Sequence, residues 1–277
     1  MGINKTMMRK IKKALISVSD KKDLKKILKI LAKYKIKIIS SGGTYKEIKK
    51  LKYKCLEISD YTNSPEILGG RVKTLHPKIH AGILSKRKNK SHQNDLKKQN
   101  FEEIDLVIVN FYPFEETISL SKNHSKIIEK IDVGGPTMVR AAAKNYNDVT
   151  VITSTNQYNE LINELDKYKG STSLNFREKM SLEAFSETAY YDAVISNYFN
   201  KLKENNFPKK KIIYGNLINK LRYGENPHQE SAIYSVKNSL NIKQIYGKQL
   251  SYNNYNDIFS ALTISKSLPS NSGTVIV

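Results

Sequence analysis

Short apolar runs alternate with amphipathic helical patterns along the first half of the chain, and this alternation constrains the fold more than any other feature. ALISVSD (14–20) and IKIIS (36–40) have the length and composition of buried strands. Each precedes a helical pattern, at 22–34 and at 44–51. Strands that alternate with helices in this way form an α/β domain with a mostly parallel sheet.

Three later runs extend the predicted sheet. YKCLEI (53–58) is strand-like, whereas IDLVIVNFY (104–112) and VTVITS (149–154) are apolar almost throughout, as strands covered on both faces are. Between the last two, GGPTMVRAAAKN (134–145) predicts a helix, because Pro136 suits a first turn and alanine favours helix. The strand-helix-strand order therefore continues to residue 154.

The second half of the chain contains a predicted domain boundary. A helical pattern from 175 to 203 predicts one long helix or a helix pair, and the polar stretch NNFPKKK (205–211) interrupts it. A strand-like pattern then starts at IIYG (212–215), but the residues from there to the end are too few for a second domain of comparable size. We expect one domain over 1–204 and the start of another over 205–277.

The net charge of +21 first suggests binding to nucleic acid or to an acidic membrane surface. Only six of the 47 basic residues are arginines, although arginine makes the bidentate contacts that specific recognition favours. The lysines are spread along helical patterns, as on solvated helix faces. We therefore expect no specific nucleic-acid partner, and a basic RNA-binding protein is kept as an alternative.

The sequence contains no apolar run of bilayer-spanning length, and its start has no stretch typical of a signal peptide. A single cysteine, Cys55, excludes an internal disulfide, which fits a reducing compartment. We expect a cytoplasmic protein that has no membrane partner.

Small polar clusters follow the first two predicted strands. SVSDKK (17–22) follows one strand and SSGGTYK (40–46) belongs to the end of the other. The carboxyl ends of parallel strands share one edge of a sheet, where helix starts present free N–H groups. The candidate phosphate contacts are Ser17, Ser19, Lys21, Ser41, Gly43 and Thr44. Alternatively, Ser19 or Asp20 caps a helix and the glycines make a turn.

Two further segments carry candidate reactive groups. Asp132 precedes a Gly-Gly turn and Lys144 lies in the following helical pattern, so that an acid and a lysine near one cleft could exchange a proton. In NFYPF, Asn110 and Tyr112 could reach the same crevice from a strand end. The alternatives are an acidic helix cap, a surface cation and a tyrosine that packs on the sheet.

The stretch GRVKTLHPKIHAGIL (70–84) combines cations with two histidines. His76 and His80 are four residues apart, but Pro77 disfavours helical geometry at His76 and the glutamate of a zinc motif is missing. We expect no metal site. Arg71, Lys73 and Thr74 are predicted to form an anion-contacting edge, because adjacent glycines allow close approach to a ligand.

Several motifs occur in a single order along the chain: SVSDK, SGGT, PEILGGRVKTLHPKIHAGIL, NFYPF, IDVGGPTMVRAAAKN, LRYGENPHQ and LSYNNYND. In this order they resemble the bifunctional purine-biosynthesis enzymes that combine phosphoribosylaminoimidazolecarboxamide (AICAR) formyltransferase with IMP cyclohydrolase. The resemblance implies a methylglyoxal-synthase-like α/β cyclohydrolase domain over residues 1–204, followed by the start of a cytidine-deaminase-like formyltransferase domain. It also implies a homodimer.

The resemblance implies that formyl-AICAR is closed to inosine monophosphate (IMP) with loss of water and without a cofactor. The positions that match the family's catalytic residues are Lys73, Tyr112, Asp132 and Lys144. Those that match nucleotide-phosphate contacts are Ser17, Ser19, Lys21, Ser41, Gly43 and Thr44, and those that match other substrate contacts are Arg71, Thr74, Asn110 and Gly134.

For the second activity, Arg222 and Tyr223 match AICAR-binding positions. The family takes the formyl group from 10-formyltetrahydrofolate. Its catalytic Lys-His motif follows a strand that resembles GTVIV (273–277), where this sequence ends, so we expect no formyl transfer by this polypeptide alone. The enzyme alternative is a methylglyoxal-synthase-like lyase that acts on dihydroxyacetone phosphate.

Overall fold

The computed structural model describes residues 8–237 and 239–272. The GTVIV run that the sequence marks as strand-like lies outside the described residues. Contacts within the chain divide it into two compact units, Met1–Asn206 and Phe207–Val277. No helix in the described ranges is both long enough and apolar enough to cross a bilayer.

The first unit alternates short strands with helices. Its strands are β1 (Arg9–Lys10), β2 (Lys13–Val18), β3 (Lys37–Ser40), β4 (Leu56–Glu57), β5 (Leu106–Asn110), β6 (Thr150–Ile152) and β7 (Ser171–Thr172). Its helices are α1 (Leu24–Lys33), α2 (Gly42–Lys50), α3 (Ile58–Thr62), α4 (Pro77–Leu84), α5 (Lys90–Lys98), α6 (Phe114–Leu120), α7 (His124–Ile128), α8 (Gly134–Lys144), α9 (Tyr158–Lys167) and α10 (Leu174–Leu202).

Five of these strands form a parallel sheet in the order β4-β3-β2-β5-β6. In the central strand, consecutive residues Ala14, Leu15 and Ile16 are fully buried, so both faces of the sheet are covered. The helix α8 packs against β5 and β6, α10 packs against α8, and α1 packs against α9. The predicted α/β class with a mostly parallel sheet is confirmed. A separate antiparallel pair joins β1 to β7.

Several elements differ from the sequence prediction. The third predicted strand, 53–58, is reduced to the two residues of β4, because only Leu56 and Glu57 pair with β3 and α3 begins at Ile58. The predicted helix at 175–203 is one continuous helix, α10. The stretch 70–84 shows no clear helical or strand period of apolar residues in the sequence. In the structure its second half is helix α4, whose first residue is Pro77.

Arg177 links α10 by hydrogen bonds to β7 and to the segment before β6. Arg177 is 1% exposed, and its guanidinium donates to the carbonyl oxygens of Tyr146, Thr172 and Asn147 at 2.8, 2.6 and 3.1 Å. Burial lowers the pKa of Arg177 to about 10, so that it stays charged at neutral pH.

The second unit contains β8 (Asn216–Lys220), β9 (Ala232–Ser235) and α11 (Tyr252–Lys266). The two strands pair in antiparallel fashion. IIYG (212–215) was predicted to begin a strand, but β8 begins only at Asn216, and Ile213 is exposed. Helix α11 begins with a capping box, in which Ser251 and Asn254 satisfy each other's backbone N–H groups.

Candidate functional site

A cleft of about 790 Å³ opens at the carboxyl ends of β2, β3 and β5. This is the edge at which ligands bind in open parallel sheets. Thirteen residues predicted from the sequence line it: Ser17, Ser19, Lys21, Ser41, Gly43, Thr44, Arg71, Lys73, Thr74, Asn110, Tyr112, Asp132 and Gly134. The structure therefore brings together segments that lie more than 100 residues apart in the chain.

The start of α2 forms one wall of the cleft. Ser41 is the N-cap residue, and its side chain makes no capping hydrogen bond within the described structure. A Cβ placed on Gly42 would lie 3.3 Å from Lys73 Nζ, and one on Gly43 would lie 3.9 Å from Lys21 Nζ. Two ammonium groups thus flank a helix N-terminus, where the helix dipole and free N–H groups already favour an anion.

Thr44 and Asn110 also hold the strand ends together. Thr44 Oγ1 accepts a hydrogen bond from the Val18 N–H at 3.0 Å and donates one to the Val18 carbonyl at 2.9 Å. Asn110 Oδ1 accepts from the N–H groups of Ser19 and Asp20 at 2.6 and 3.0 Å. These side chains fix the shape of the turn after β2, and a ligand contact by either of them stays a prediction.

The turn after β2 does not cap a helix. Helix α1 begins at Leu24 with Asp23 as its N-cap residue, so neither Ser19 nor Asp20 is in the capping position. Asp20 instead accepts a hydrogen bond from the Lys22 N–H at 2.8 Å, which closes the turn. The alternative of helix capping is therefore wrong for these two residues.

A tight loop carries Lys73 to the start of α2. Ile67 pairs with Val72, and the turn between them includes Gly70 with a φ of +93°. A Cβ on Gly70 would come within 2.7 Å of Lys73 Cε and closer still to the Glu66 carboxylate. Lys73 Nζ forms an ion pair with Glu66 Oε1 at 2.8 Å. The φ of Gly70 favours glycine at this position, because other residues rarely adopt it.

Asp132 lies on the opposite side, just before α8. Its carboxylate accepts the Gly135 N–H at 2.9 Å, and its own N–H donates to the hydroxyl of Tyr191 at 2.8 Å. Burial raises the pKa of the Asp132 carboxyl, and the hydrogen bond from Gly135 opposes that shift. A carboxyl group with a raised pKa in a cleft is able to take up a proton, and this role for Asp132 stays a prediction.

Thr74 and Tyr112 complete this side of the cleft. A Cβ on Gly134 would lie 2.5 Å from Thr74 Oγ1, so Thr74 is in close contact with the start of α8. Tyr112 is 45% exposed, and Lys130 Nζ lies 5.6 Å from the centre of its ring. The phenol is thus accessible to a ligand, and a cation lies beside its ring.

Lys144 does not lie in the cleft. It is the last residue of α8, whose first residue, Gly134, lines the cleft, and its side chain is exposed. An α-helix rises about 1.5 Å per residue, so the two ends of α8 are about 15 Å apart. The prediction that Asp132 and Lys144 share one cleft within the chain is therefore corrected.

The two histidines have structural surroundings. His76 is the N-cap residue of α4, and its Nδ1 accepts the Lys78 N–H at 3.1 Å. Burial lowers the pKa of His80. The described ranges contain no group of three or more His, Cys, Asp or Glu residues arranged to hold a metal ion.

Three residues around the site, Glu66, Glu129 and Tyr191, were not predicted from the sequence. Glu129 forms a two-pronged ion pair with Arg71, at 2.7 Å to Nη2 and 3.3 Å to Nε, and both residues line the cleft. Its position three residues before Asp132 was the available signal. Tyr191 has no such signal, because it lies 59 residues after Asp132 in the chain.

In the second unit, Arg222 and Tyr223 are in mutual contact. Arg222 Nη2 donates to the Tyr223 hydroxyl at 3.0 Å, and the guanidinium lies 4.8 Å from the centre of the tyrosine ring. This arrangement presents a charged planar group beside a phenol. Binding of AICAR by the pair stays a prediction.

Two family models match successive parts of the chain. The MGS-like domain model matches residues 23–137, which confirms the methylglyoxal-synthase-like fold of the first unit. The AICARFT/IMPCHase bienzyme model matches residues 142–277. A crystal structure of ForH has a TM-score of 0.61 and 29% identity to this chain, and the match covers 68% of this chain and 97% of that one.

Curated relatives match almost the whole chain. Proteins named "Bifunctional purine biosynthesis protein PurH" are 44% identical over 257 residues in Bradyrhizobium diazoefficiens and 46% identical over 266 residues in Persephonella marina. These matches cover 91% and 92% of this chain, but only 48% and 51% of the relatives. The relatives support neither the lyase nor the RNA-binding alternative. The chain belongs to the AICARFT/IMPCHase bienzyme family and spans about half the length of the curated relatives it matches.

Proposed function

We propose that the first unit is an IMP cyclohydrolase, which closes formyl-AICAR to IMP with loss of water. The observation that carries this proposal is the convergence of Lys73, Tyr112 and Asp132 on one cleft, beside a helix start that is flanked by lysines. The family match and the purine-biosynthesis relatives support it.

In the proposed complex, the nucleotide phosphate binds at the start of α2. Gly42 and Gly43 let the phosphate approach the backbone N–H groups, and Lys21 supplies a charge beside Gly43. Hydroxyl donors come from Ser17, Ser19 and Ser41. Binding of the phosphate at the start of α2 anchors the substrate, so that its base portion extends towards Lys73 and Asp132.

The ring closure requires proton transfers but no redox step. The carboxamide nitrogen bonds to the formyl carbon, and Asp132 accepts the proton that this nitrogen releases. Lys73 and Tyr112 stabilise the negative charge on the former formyl oxygen and donate the proton that makes it a hydroxyl. The former formamide nitrogen then loses its proton and forms a double bond to the former formyl carbon, while the C–O bond breaks and the hydroxyl group leaves with a proton as water. Because Lys144 lies outside the cleft, we assign it no step.

These transfers need no cofactor, so we propose none for the cyclohydrolase. We propose residues 1–204 as the cyclohydrolase domain and 205–277 as part of a formyltransferase domain, in which Arg222 and Tyr223 contact AICAR. In the family, 10-formyltetrahydrofolate supplies the formyl group for that second step. We also propose, from the resemblance to this family, that the protein is a cytoplasmic homodimer.

The direct test is to incubate the purified chain with formyl-AICAR and to quantify IMP by chromatography. We expect IMP to form without any added cofactor. A parallel incubation with dihydroxyacetone phosphate should yield no methylglyoxal. Methylglyoxal without IMP would mean that the cleft is a lyase site, and no IMP from a folded chain would refute the proposal.

Replacing Glu129 with glutamine is expected to tighten the binding of IMP about two- to fivefold, because an exposed ion pair is worth at most about 1 kcal/mol. The substitution releases Arg71 for the ligand and removes a carboxylate from the cleft. Isothermal calorimetry with IMP measures the change. Glu116→Gln removes the same charge from an exposed position on α6, and it should leave the affinity unchanged. Unchanged or weaker binding by Glu129→Gln would contradict the competition for Arg71.

A further inference from the structure

We propose that Tyr191 is a positioning residue that fixes Asp132 relative to Tyr112. The inference deepens the proposed cyclohydrolase function and rests on it. Tyr191 belongs to α10 and is not among the residues that line the cleft. It acts through the two segments that it contacts.

The hydroxyl of Tyr191 binds the backbone on which Asp132 is carried. It accepts the Asp132 N–H at 2.8 Å and donates to the Lys130 carbonyl at 3.3 Å. Tyr191 is 6% exposed, so water does not readily replace either bond. Burial raises the pKa of Tyr191 to about 12, and the hydroxyl therefore keeps the proton that the second bond needs.

The ring of Tyr191 contacts the segment that carries Tyr112. Its centre lies 5.0 Å from that of Phe111 and 6.3 Å from that of Phe114. These two residues flank Tyr112 and Pro113 directly after β5. One side chain thus touches both the strand end and the turn before α8, and it sets the distance between their reactive groups.

The carboxylate itself is fixed by a second contact. Asp132 Oδ1 accepts the Gly135 N–H, and a Cβ at position 135 would collide with the Asp132 carboxylate. The side chain is therefore held at the helix start, but the turn that carries it depends on Tyr191. A displacement of about 1 Å in a catalytic group can lower the rate about 100-fold.

The test is Tyr191→Phe, which keeps the ring and removes the hydroxyl. We expect kcat for IMP formation to fall about tenfold or more, and KM to stay within about twofold, because the phosphate site at α2 is untouched. The control is Tyr190→Phe, which removes a hydroxyl from the preceding residue of the same helix, where it donates to Glu115 at 2.8 Å. This control should retain the wild-type kcat.

A double-mutant cycle separates positioning from a general structural effect. If Tyr191 acts through Asp132, then Tyr191→Phe should cause little further loss of kcat in an Asp132→Asn background. Binding of IMP by each variant shows that the cleft is folded. The inference would be overturned if the kcat losses of Tyr191→Phe and Asp132→Asn multiplied in the double variant. It would also be overturned if Tyr190→Phe lost as much kcat as Tyr191→Phe, or if Tyr191→Phe kept the wild-type kcat. An inactive wild-type chain would instead refute the proposed function.

Discussion

Lys73→Ala is expected to lower kcat/KM for the conversion of formyl-AICAR to IMP by about 100- to 1,000-fold, which is the usual cost of losing one group that stabilises a developing oxyanion. The ammonium of Lys73 is held at the cleft by Glu66 and lies against Gly42. Alanine removes the charge from both the reacting oxygen and the helix start, so both kcat and KM should worsen.

The matched control for this prediction is Lys78→Ala. Lys78 is five residues further along, in α4, and its ammonium lies over the ring of Tyr61 and not among the cleft residues. The control also removes one positive charge, and it should change kcat/KM less than twofold, which corresponds to less than about 0.4 kcal/mol of transition-state stabilisation. A Lys73→Ala variant that binds IMP and cyclises at the wild-type rate would show that the placement of Lys73 in the reaction is wrong.

Arg177→Met is expected to lower the free energy of unfolding by about 1–3 kcal/mol, the usual cost of leaving a buried hydrogen-bond acceptor unsatisfied. The carbonyl oxygens of Tyr146 and Thr172 would lose this donor, whereas the Asn147 carbonyl would keep a hydrogen bond from Arg9 Nε at 3.4 Å. Methionine fills a similar volume but cannot donate. Urea unfolding followed by circular dichroism measures the change.

Lys179→Ala is the control on the same helix. Lys179 is exposed and forms an ion pair with Glu160 at 2.5 Å, and surface pairs contribute at most about 1 kcal/mol. Its variant should unfold near the wild-type midpoint. If Arg177→Met were no less stable than Lys179→Ala, the buried guanidinium would not be the anchor of α10.

Local chemistry made much of the fold and the cleft predictable. The apolar runs at 14–20 and 104–112 identify β2 and β5, because a strand covered on both faces must be apolar throughout. The polar clusters that follow strands could be assigned to one edge, because parallel strands end together. Ser17 and Ser41 were therefore predicted to be near each other without knowledge of any contact, whereas the catalytic position of Asp132 was implied by the family resemblance.

The predictions that failed depend on distances across the structure. Asp132 and Lys144 are close in the sequence, but a helix between them separates their ends, so nearness in the chain did not predict nearness in space. Conversely, Tyr191 reaches Asp132 through the packing of α10 against α8, which no local pattern encodes. The short β4 illustrates the same limit, since pairing, and not composition, sets where an edge strand ends.

The strand order has a consequence for synthesis on the ribosome. The central strand β2 is the first of the five to be made, and its partner β5 follows about 90 residues later. At roughly 5–20 residues per second, one edge of β2 stays open for roughly 5–20 s. Lys12, Lys13, Lys21 and Lys22 flank this apolar segment. They can act as gatekeepers, because their charges discourage the exposed edge from pairing with another nascent chain.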